Sequence, residues 1–421
     1  MTVKFMDTAQ RKVVFNLILS CWLTYTLSIC LKMAYGASMT AVKEEYLLSS
    51  DLVAGLPITL YYLTYAVIQL FLAAFVGKID LKRYLLVTCL PAGLLFVSVF
   101  AYSPFPYLNV VMAADGVLLA AVWCGCMQLF KRLLPPSVLD RALLFMGAGF
   151  SAGSALSFGV AALSMKLGNW RFAFLFIGAA FTLALVYMLF SVRRAEAAKP
   201  VTEEPVVQKT APTWQMPRAS AKPLVVMATV TIFVECLLYY GFSNWMPTIL
   251  RSNFDLAKER ATLISILLPV VTYVGPVLAK AVGDKFKNDF ASTAVLSAFA
   301  TVPALILSRV YHWRLALTVA VIVVACVFLR AVSTLLGTFV SVHVSKYVNA
   351  GSSVAVINAS ACVAAAASPL LVGAILDATG RNWSLCFLFL FLLTVVMLVI
   401  PLLFMLVDKY RRRGQQNGDE P

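Results

Sequence analysis

The chain has 421 residues, of which 61% are hydrophobic and only 13% charged, and its mean hydropathy is +0.88. Soluble domains are about 45–50% apolar and about 25% charged, so a water-soluble globular fold is excluded. The net charge of +15 sits in short loops between apolar runs, which fits membrane topology and not a nucleic-acid partner.

A spanning helix needs about 20 mostly apolar residues. Twelve such runs follow one another: 13–36, 52–76, 84–102, 107–130, 142–166, 171–192, 224–250, 261–283, 290–308, 314–341, 352–376 and 384–407. The first is too long for a removable signal peptide and lacks a small-residue cleavage site. All nine cysteines lie in apolar runs; Cys124-x-Cys126 reads as two small hydrophobes, and no disulfide, zinc site or other metal centre is expected. Between the sixth and seventh runs, residues 193–223 hold Pro200, Pro205, Pro212, Pro217 and Pro223 among Ala, Glu and Lys, the composition of a flexible linker. The predicted plan is an all-α membrane protein of twelve helices in two six-helix bundles. Residues 1–192 form one, 193–223 a cytoplasmic linker, and 224–421 the other, with a short basic tail.

Lysines and arginines set the orientation. The N-terminus, linker, tail and the loops after runs 2, 4, 8 and 10 share 22, the opposite loops share nine, and Lys32, Lys280 and Arg330 lie within runs. Both termini are expected in the cytoplasm of a multi-pass protein of the bacterial inner membrane. The tail Lys409-Tyr410-Arg411-Arg412-Arg413 reads as a topology anchor.

The two halves echo each other. Asn169-Trp170 with Phe174-Leu175-Phe176 opens run 6, and Asn382-Trp383 with Phe387-Leu388-Phe389 opens run 12. Gly77-Lys78-Ile79-Asp80 after run 2 is matched by Gly283-Asp284-Lys285-Phe286-Lys287 after run 8. A duplicated bundle is the parallel-repeat plan of transporters that hold substrate between halves near the midplane.

Four formal charges sit well inside apolar runs: Lys32, Asp115, Glu235 and Arg330, in runs 1, 4, 7 and 10. Each costs about 2.5–3.5 kcal/mol at a helix centre, so they need partners or water. Lys32 falls nearer the outer end of its run, where its stem can snorkel. Helical spacing puts Ser28 and Tyr25 on the face of Lys32, and Ser333, Thr334, Gly337 and Ser341 on that of Arg330. Thr231 and Tyr239 flank Glu235, Trp123 lies two turns beyond Asp115, and Tyr62, Tyr65 and Gln69 share a stripe in run 2. Asn358 in run 11 is a further polar candidate. Lys32 and Arg330 are fixed cations, the guanidinium fork suiting a carboxylate or phosphate. Asp115 and Glu235 are carboxylates poised between desolvation and neighbouring cations, able to take up and release a proton. The bland alternative is two buried ion pairs that tie the halves together.

Two stretches carry a resemblance. Lys32, Leu48-Ser49-Ser50 and Tyr65 stand in a pattern that resembles helices 1 and 2 of the organophosphate:phosphate antiporters and their relatives, the anion:cation symporters, where helix 1 carries an arginine. Tyr240-Gly241-x-x-x-Trp245-x-Pro247-Thr248-x-Leu250 looks like the antiporters' Y-G-x-x-x-W-x-P-T-x-L of helix 7. The chain is identified on these as similar to that branch of the major facilitator superfamily, whose helices 1, 4, 7 and 10 line a central cavity and whose members usually act as monomers. It departs from the antiporters at Tyr239, where they have an arginine, at Gln69, where they have a lysine, and in lacking their helix 5 histidine. Asp115 resembles instead the acid that the symporters use for proton coupling. The superfamily's loop motif is degraded in both halves, and Gly149-x-x-x-Gly153 replaces the Gly-Pro of drug:proton antiporters, a spacing that suits close helix packing.

The resemblance implies a secondary transporter of a small organic anion, a carboxylate or sugar acid, coupled to protons. Lys32, Arg330, Tyr239, Tyr62, Tyr65, Gln69, Trp123 and Asn358 would hold substrate, and Asp115 and Glu235 would carry protons. No nucleotide motif such as G-x-x-x-x-G-K-[ST] is present, and no cofactor is expected. Organophosphate antiport, a ligand sensor of the same fold and a channel remain the alternatives. An enzyme is disfavoured, since His312 and His343 lie near opposite helix ends and no nucleophile–base pair is evident.

Overall fold

A computed structural model describes residues 8–75, 81–198, 222–340 and 350–416. Residues 77–80, most of the linker, Ser341 and His343 lie outside the described residues. Every regular element described is helical, the arrangement by which an open chain satisfies its backbone polar groups in hydrocarbon. The first half comprises α1 (Thr8–Glu45), α2 (Asp51–Phe75), α3 (Leu81–Ala101), α4 (Phe105–Leu119), α5 (Val122–Leu133), α6 (Pro136–Lys166) and α7 (Arg171–Ala197). The second comprises α8 (Lys222–Phe254), α9 (Lys258–Ile264), α10 (Leu267–Val271), α11 (Gly275–Phe286), α12 (Asp289–Val310), α13 (Leu315–Thr334), α14 (Ala350–Ala378) and α15 (Trp383–Gln416). Among the described residues eleven helical stretches are long and apolar enough to cross a bilayer, and Val87–Ala101 is a shorter twelfth. Large side chains such as Leu183, Val87, Phe190 and Leu403 face outward, toward the acyl chains.

Four runs differ from the sequence expectation. The first helix continues to Glu45, which puts Lys32 deep within it, about 20 Å from its end at 1.5 Å per residue, and not at a rim where it could snorkel. The fourth run divides at Ala120-Ala121 into α4 and α5; Asp115 lies near Tyr61 and Trp123 against Tyr25. The eighth run is broken into α9, α10, a tight turn at Thr272–Val274 and α11. Pro269 and Pro276 there lack the N–H that a continuous ladder needs. Beyond α13 the tenth run loosens into a π-helical segment, Leu335–Val340.

Within the halves, α1 packs on α6 and α7, α3 on α7, α12 on α13 and α15, and α14 on α8, while α2 lies along α14 from the other half. The repeated Asn-Trp motif has one structural job in both halves. Asn169 Oδ1 accepts from the N–H of Arg171 at 2.9 Å, and Asn382 Oδ1 from that of Ser384 at 3.0 Å, so each asparagine satisfies orphan donors at a helix start. One turn on, the tryptophans meet Phe174 and Phe387 at 5.5 and 5.8 Å between ring centroids.

An even number of crossings leaves residues 8 and 416 on one face; the other is the distal face. There the halves are bolted together. Glu44 pairs with Arg251 and Lys258, and Asp51, 2% exposed, pairs with Lys43 of its own half and Arg381 of the other. Asp377 accepts from Ser50 Oγ at 2.6 Å and from the N–H of Asp51 at 2.7 Å, capping α2 from across the interface. Deeper in, Thr59 Oγ1 donates to the Ala366 carbonyl at 2.8 Å. Gly373 permits this seam, because a Cβ there would stand 2.7 Å from the Leu52 backbone.

Candidate functional site

Lys32 on α1 and Arg330 on α13, one from each half, converge on a cluster of aromatic rings. The Lys32 ammonium lies 4.7 Å from the Tyr62 ring centroid, 5.5 Å from Tyr240, 5.7 Å from Tyr65 and 5.8 Å from Phe150. Its Nζ also donates to Tyr240 Oη at 3.5 Å. The Arg330 guanidinium lies 4.9 Å from the Phe150 centroid and 5.1 Å from Tyr239. Both cations are half-buried. Among the described residues no carboxylate oxygen comes within salt-bridge distance of either. Neither ion pair of the alternative reading is closed to salt-bridge distance among the described residues. A cation over a ring gains about 0.5–2 kcal/mol, which offsets part of the insertion cost and leaves both groups receptive to an anion.

The backbone explains why these side chains meet. Gly275 lets the broken eighth span touch α13, since a Cβ there would stand 2.8 Å from Arg330 Cβ. Below Arg330, Thr334 turns its hydroxyl back to the Arg330 carbonyl at 2.9 Å, and the π-helical turn follows, a distortion common at functional sites. On α6, Gly149 and Gly153 press against Tyr25, Thr26 and Ile29 of α1, fixing the position of Phe150 between them. The sequence spacing for close packing here has its contact.

The acids are placed differently. Glu235 is fully buried and lies within electrostatic reach of Arg330; the Cys236 thiol donates to its Oε2 at 3.2 Å and Ser333 faces it. Asp115 is also fully buried, yet neither of its oxygens has a hydrogen-bond partner. It lies near Tyr61, next to Gly116, which packs against the Tyr61 carbonyl and Thr64. The four charges therefore do not form one layer: three converge and Asp115 stands inside the first half.

Other candidates divide in the same way. Tyr62 and Tyr240 meet edge to face at 4.9 Å, and the Tyr62 hydroxyl is buried without a partner. Gln69 is spoken for: its Nε2 donates to Tyr65 Oη at 3.1 Å and to the Ala120 carbonyl at 2.6 Å, where the α4–α5 break frees an acceptor. Trp123 stacks at 4.9 Å on Tyr25. Asn358 is exposed and joins none of these contacts. Ser28 and Thr231 return their hydroxyls to Tyr25 O and Met227 Sδ in their own helices. Phe150 and Tyr240 were not singled out as site residues by sequence: a ring within an apolar run carries no signal of its own, although Tyr240 opens the helix 7 motif.

A cavity of about 500 Å³ opens separately on the distal face, lined by Lys43, Glu44, Arg251, Asp255 and Arg381 among others. Lys43, Arg251 and Arg381 are all engaged in the ion pairs described above.

A family model described as Major Facilitator Superfamily matches residues 21–354. A gallate transporter of Pseudomonas putida is 24% identical over 239 residues, 50% of this chain and 53% of that protein. A Bacillus subtilis protein described as a metabolite transport protein is 23% identical over 250 residues, 49% of this chain and 54% of that protein. The chain thus spans about half the length of the curated relatives it matches. In three dimensions it resembles a bacterial homolog of the human lysosomal transporter Spinster. The inward-facing, occupied form gives a TM-score of 0.73 at 15% identity, covering 96% of this chain and 98% of that one. The inward-facing, unoccupied form gives 0.72 at 15%, covering 93% and 96%.

Proposed function

The chain belongs to the major facilitator superfamily, and from that premise we propose that it is a secondary transporter of a small organic anion, a carboxylate or sugar acid, moved with protons by alternating access. The observation that carries this reading is the pair of cations, Lys32 and Arg330, brought together from opposite halves with rings for neighbours and, among the described residues, no carboxylate in salt-bridge range. An anion that bridges them would tie the halves together at the midplane, which is what a transporter requires of its substrate. A relative named for gallate, itself a carboxylate, supports the same class.

Protons enter through the acids. Glu235 beside Arg330 competes with the substrate for that cation, so protonating Glu235 leaves the guanidinium free for the anion. Asp115 has no hydrogen-bond partner among the described residues to offset its burial, and it serves as a second proton carrier inside the first half. Lys32, Arg330, Tyr239, Tyr62 and Tyr65 form the substrate site in this reading; Gln69 and Trp123 are supports at its margins, and Asn358 has no part in it. The distal bolts support a conformation closed on that face. The basic loops favour placing the termini face in the cytoplasm of a bacterial inner membrane. Residues 1–192 and 224–421 then rock as two bundles about the linker, within a monomer that is not an enzyme.

The test uses proteoliposomes with a trapped pH dye. Mono- and dicarboxylates, sugar acids and sugar phosphates are added singly, with and without internal phosphate. Acidification of the lumen by a carboxylate without internal phosphate is the expected result. Uptake of a sugar phosphate only against internal phosphate, without proton flux, would replace this reading with antiport.

A further inference from the structure

Of the five rings in the central cluster, Phe150 is the one that both cations share. It belongs to the first half, as does Lys32, while Arg330 comes from the second. Its ring has no hydroxyl to offer, so what it gives either cation is its π face. The helix beneath it is held rigidly, because Gly149 and Gly153 seat α6 on α1 without room for a side chain. One turn earlier on α6, Gly147 borders open space, with nothing within 4 Å of where a Cβ would stand. A fixed backbone beside an open volume gives the ring freedom to turn while its anchor stays put.

Taking the anion-binding reading as its basis, we propose that Phe150 is a positioning residue that trades places with the substrate. In the empty site its ring holds Lys32 and Arg330; a bound carboxylate takes both cations and the ring turns toward Gly147; as the anion leaves, the ring takes the cations back. The other polar groups nearby do not hold both cations: the Tyr240 hydroxyl accepts from Lys32 alone. Gln69, Ser28, Thr334 and Thr231 have their hydrogen bonds within the protein, and Glu235 flanks Arg330 alone.

This exchange has a signature that ordinary packing lacks. A ring that stabilises only the empty site opposes binding, so its removal tightens binding and slows release. Phe150→Leu is expected to lower the dissociation constant about five- to tenfold, the worth of two cation–π contacts, and to slow substrate exchange by a similar factor. Phe150→Trp, the stronger π donor, shifts both in the opposite direction, and Phe150→Tyr stays near wild type. If Phe150 merely packs against the substrate, Phe150→Leu and Phe150→Trp both weaken binding.

The experiment is isothermal titration of purified wild type and the three variants, each checked for its thermal transition, with benzoate, 4-hydroxybenzoate, glucuronate and glucose 6-phosphate as probes. Tighter binding of a carboxylate by Phe150→Leu with weaker binding by Phe150→Trp supports the exchange. Weaker or unchanged binding by Phe150→Leu overturns it while the anion site stands. Failure of the wild type to bind any of the four probes removes the parent reading and this one with it.

Discussion

The distal face and the midplane treat charge in opposite ways. At the distal face, among the described residues, every cation lining the cavity is paired with an acid, Arg251 with Glu44 and Lys43 and Arg381 with Asp51, and Lys258 nearby also pairs with Glu44. At the midplane Lys32 and Arg330 lie over rings instead, and inside the first half the fully buried acid Asp115 has no hydrogen-bond partner among the described residues. The energetics run against intuition. Rim pairs such as Arg251–Glu44, each partner 37% exposed, are worth about 1 kcal/mol or less. Each buried charge costs about 2.5–3.5 kcal/mol, and among the described residues neither Lys32 nor Arg330 has a carboxylate at salt-bridge distance to offset it. Charges at the distal face are paired within the protein; in the proposed reading Lys32 and Arg330 are left for a substrate that comes and goes.

The sharpest way to break this contrast is Arg330→Gln. Removing the protein's partner in a buried, charged contact with a ligand costs about 2–5 kcal/mol, so anion uptake into proteoliposomes is expected to fall by about a hundredfold or more. Arg330→Lys should recover only part, because the planar fork is lost. Uptake within a few-fold of wild type in Arg330→Gln would mean that the midplane cations are structural.

Next in size are the acids. In Asp115→Asn and Glu235→Gln, accumulation driven by a pH gradient is expected to collapse while exchange of labelled for unlabelled substrate persists. Asp115→Asn should leave the thermal transition unchanged or higher, since there is no partner to orphan. Proton-driven accumulation that survives in both variants would remove them from the coupling path.

A smaller effect is expected at the seam. Gly373→Val places a side chain against the Leu52 backbone, an overpacking worth about 1–3 kcal/mol. The distal face should then stay open, with a cysteine introduced at Leu52 labelled faster and uptake down about tenfold. The smallest belongs to the rim. Glu44→Gln breaks two exposed pairs, and a change in KM below about fivefold is expected, shrinking further in high salt.

Much of this was legible before any coordinates. Twelve apolar runs and the echo of Asn169-Trp170 in Asn382-Trp383 fixed the helices and their two-fold plan, because hydrocarbon leaves an open chain few options. Lys32, Asp115, Glu235 and Arg330 stood out because charge in an apolar run is expensive. Which of them meet was not legible. The face that Asp115 presents depends on its packing against α2 beside Gly116 and on a helix break at Ala120-Ala121 that no proline or glycine announces. The approach of Arg330 to Phe150 depends on contacts between α6, α13 and the broken eighth span that no local pattern encodes. The distal pairs were visible only as loop charges, since Glu44–Arg251 and Asp51–Arg381 join residues more than 200 positions apart.

The central claim is that Lys32 and Arg330 act as one anion site across the two halves. A double-mutant cycle tests it most directly: dissociation constants of the transported carboxylate for wild type, Lys32→Met, Arg330→Gln and the double variant, by isothermal titration. If the anion bridges both cations, each single loss abolishes most of the affinity and the double loss adds little, a strongly non-additive cycle. Losses that simply add, or a single variant that binds like wild type, would contradict a shared site.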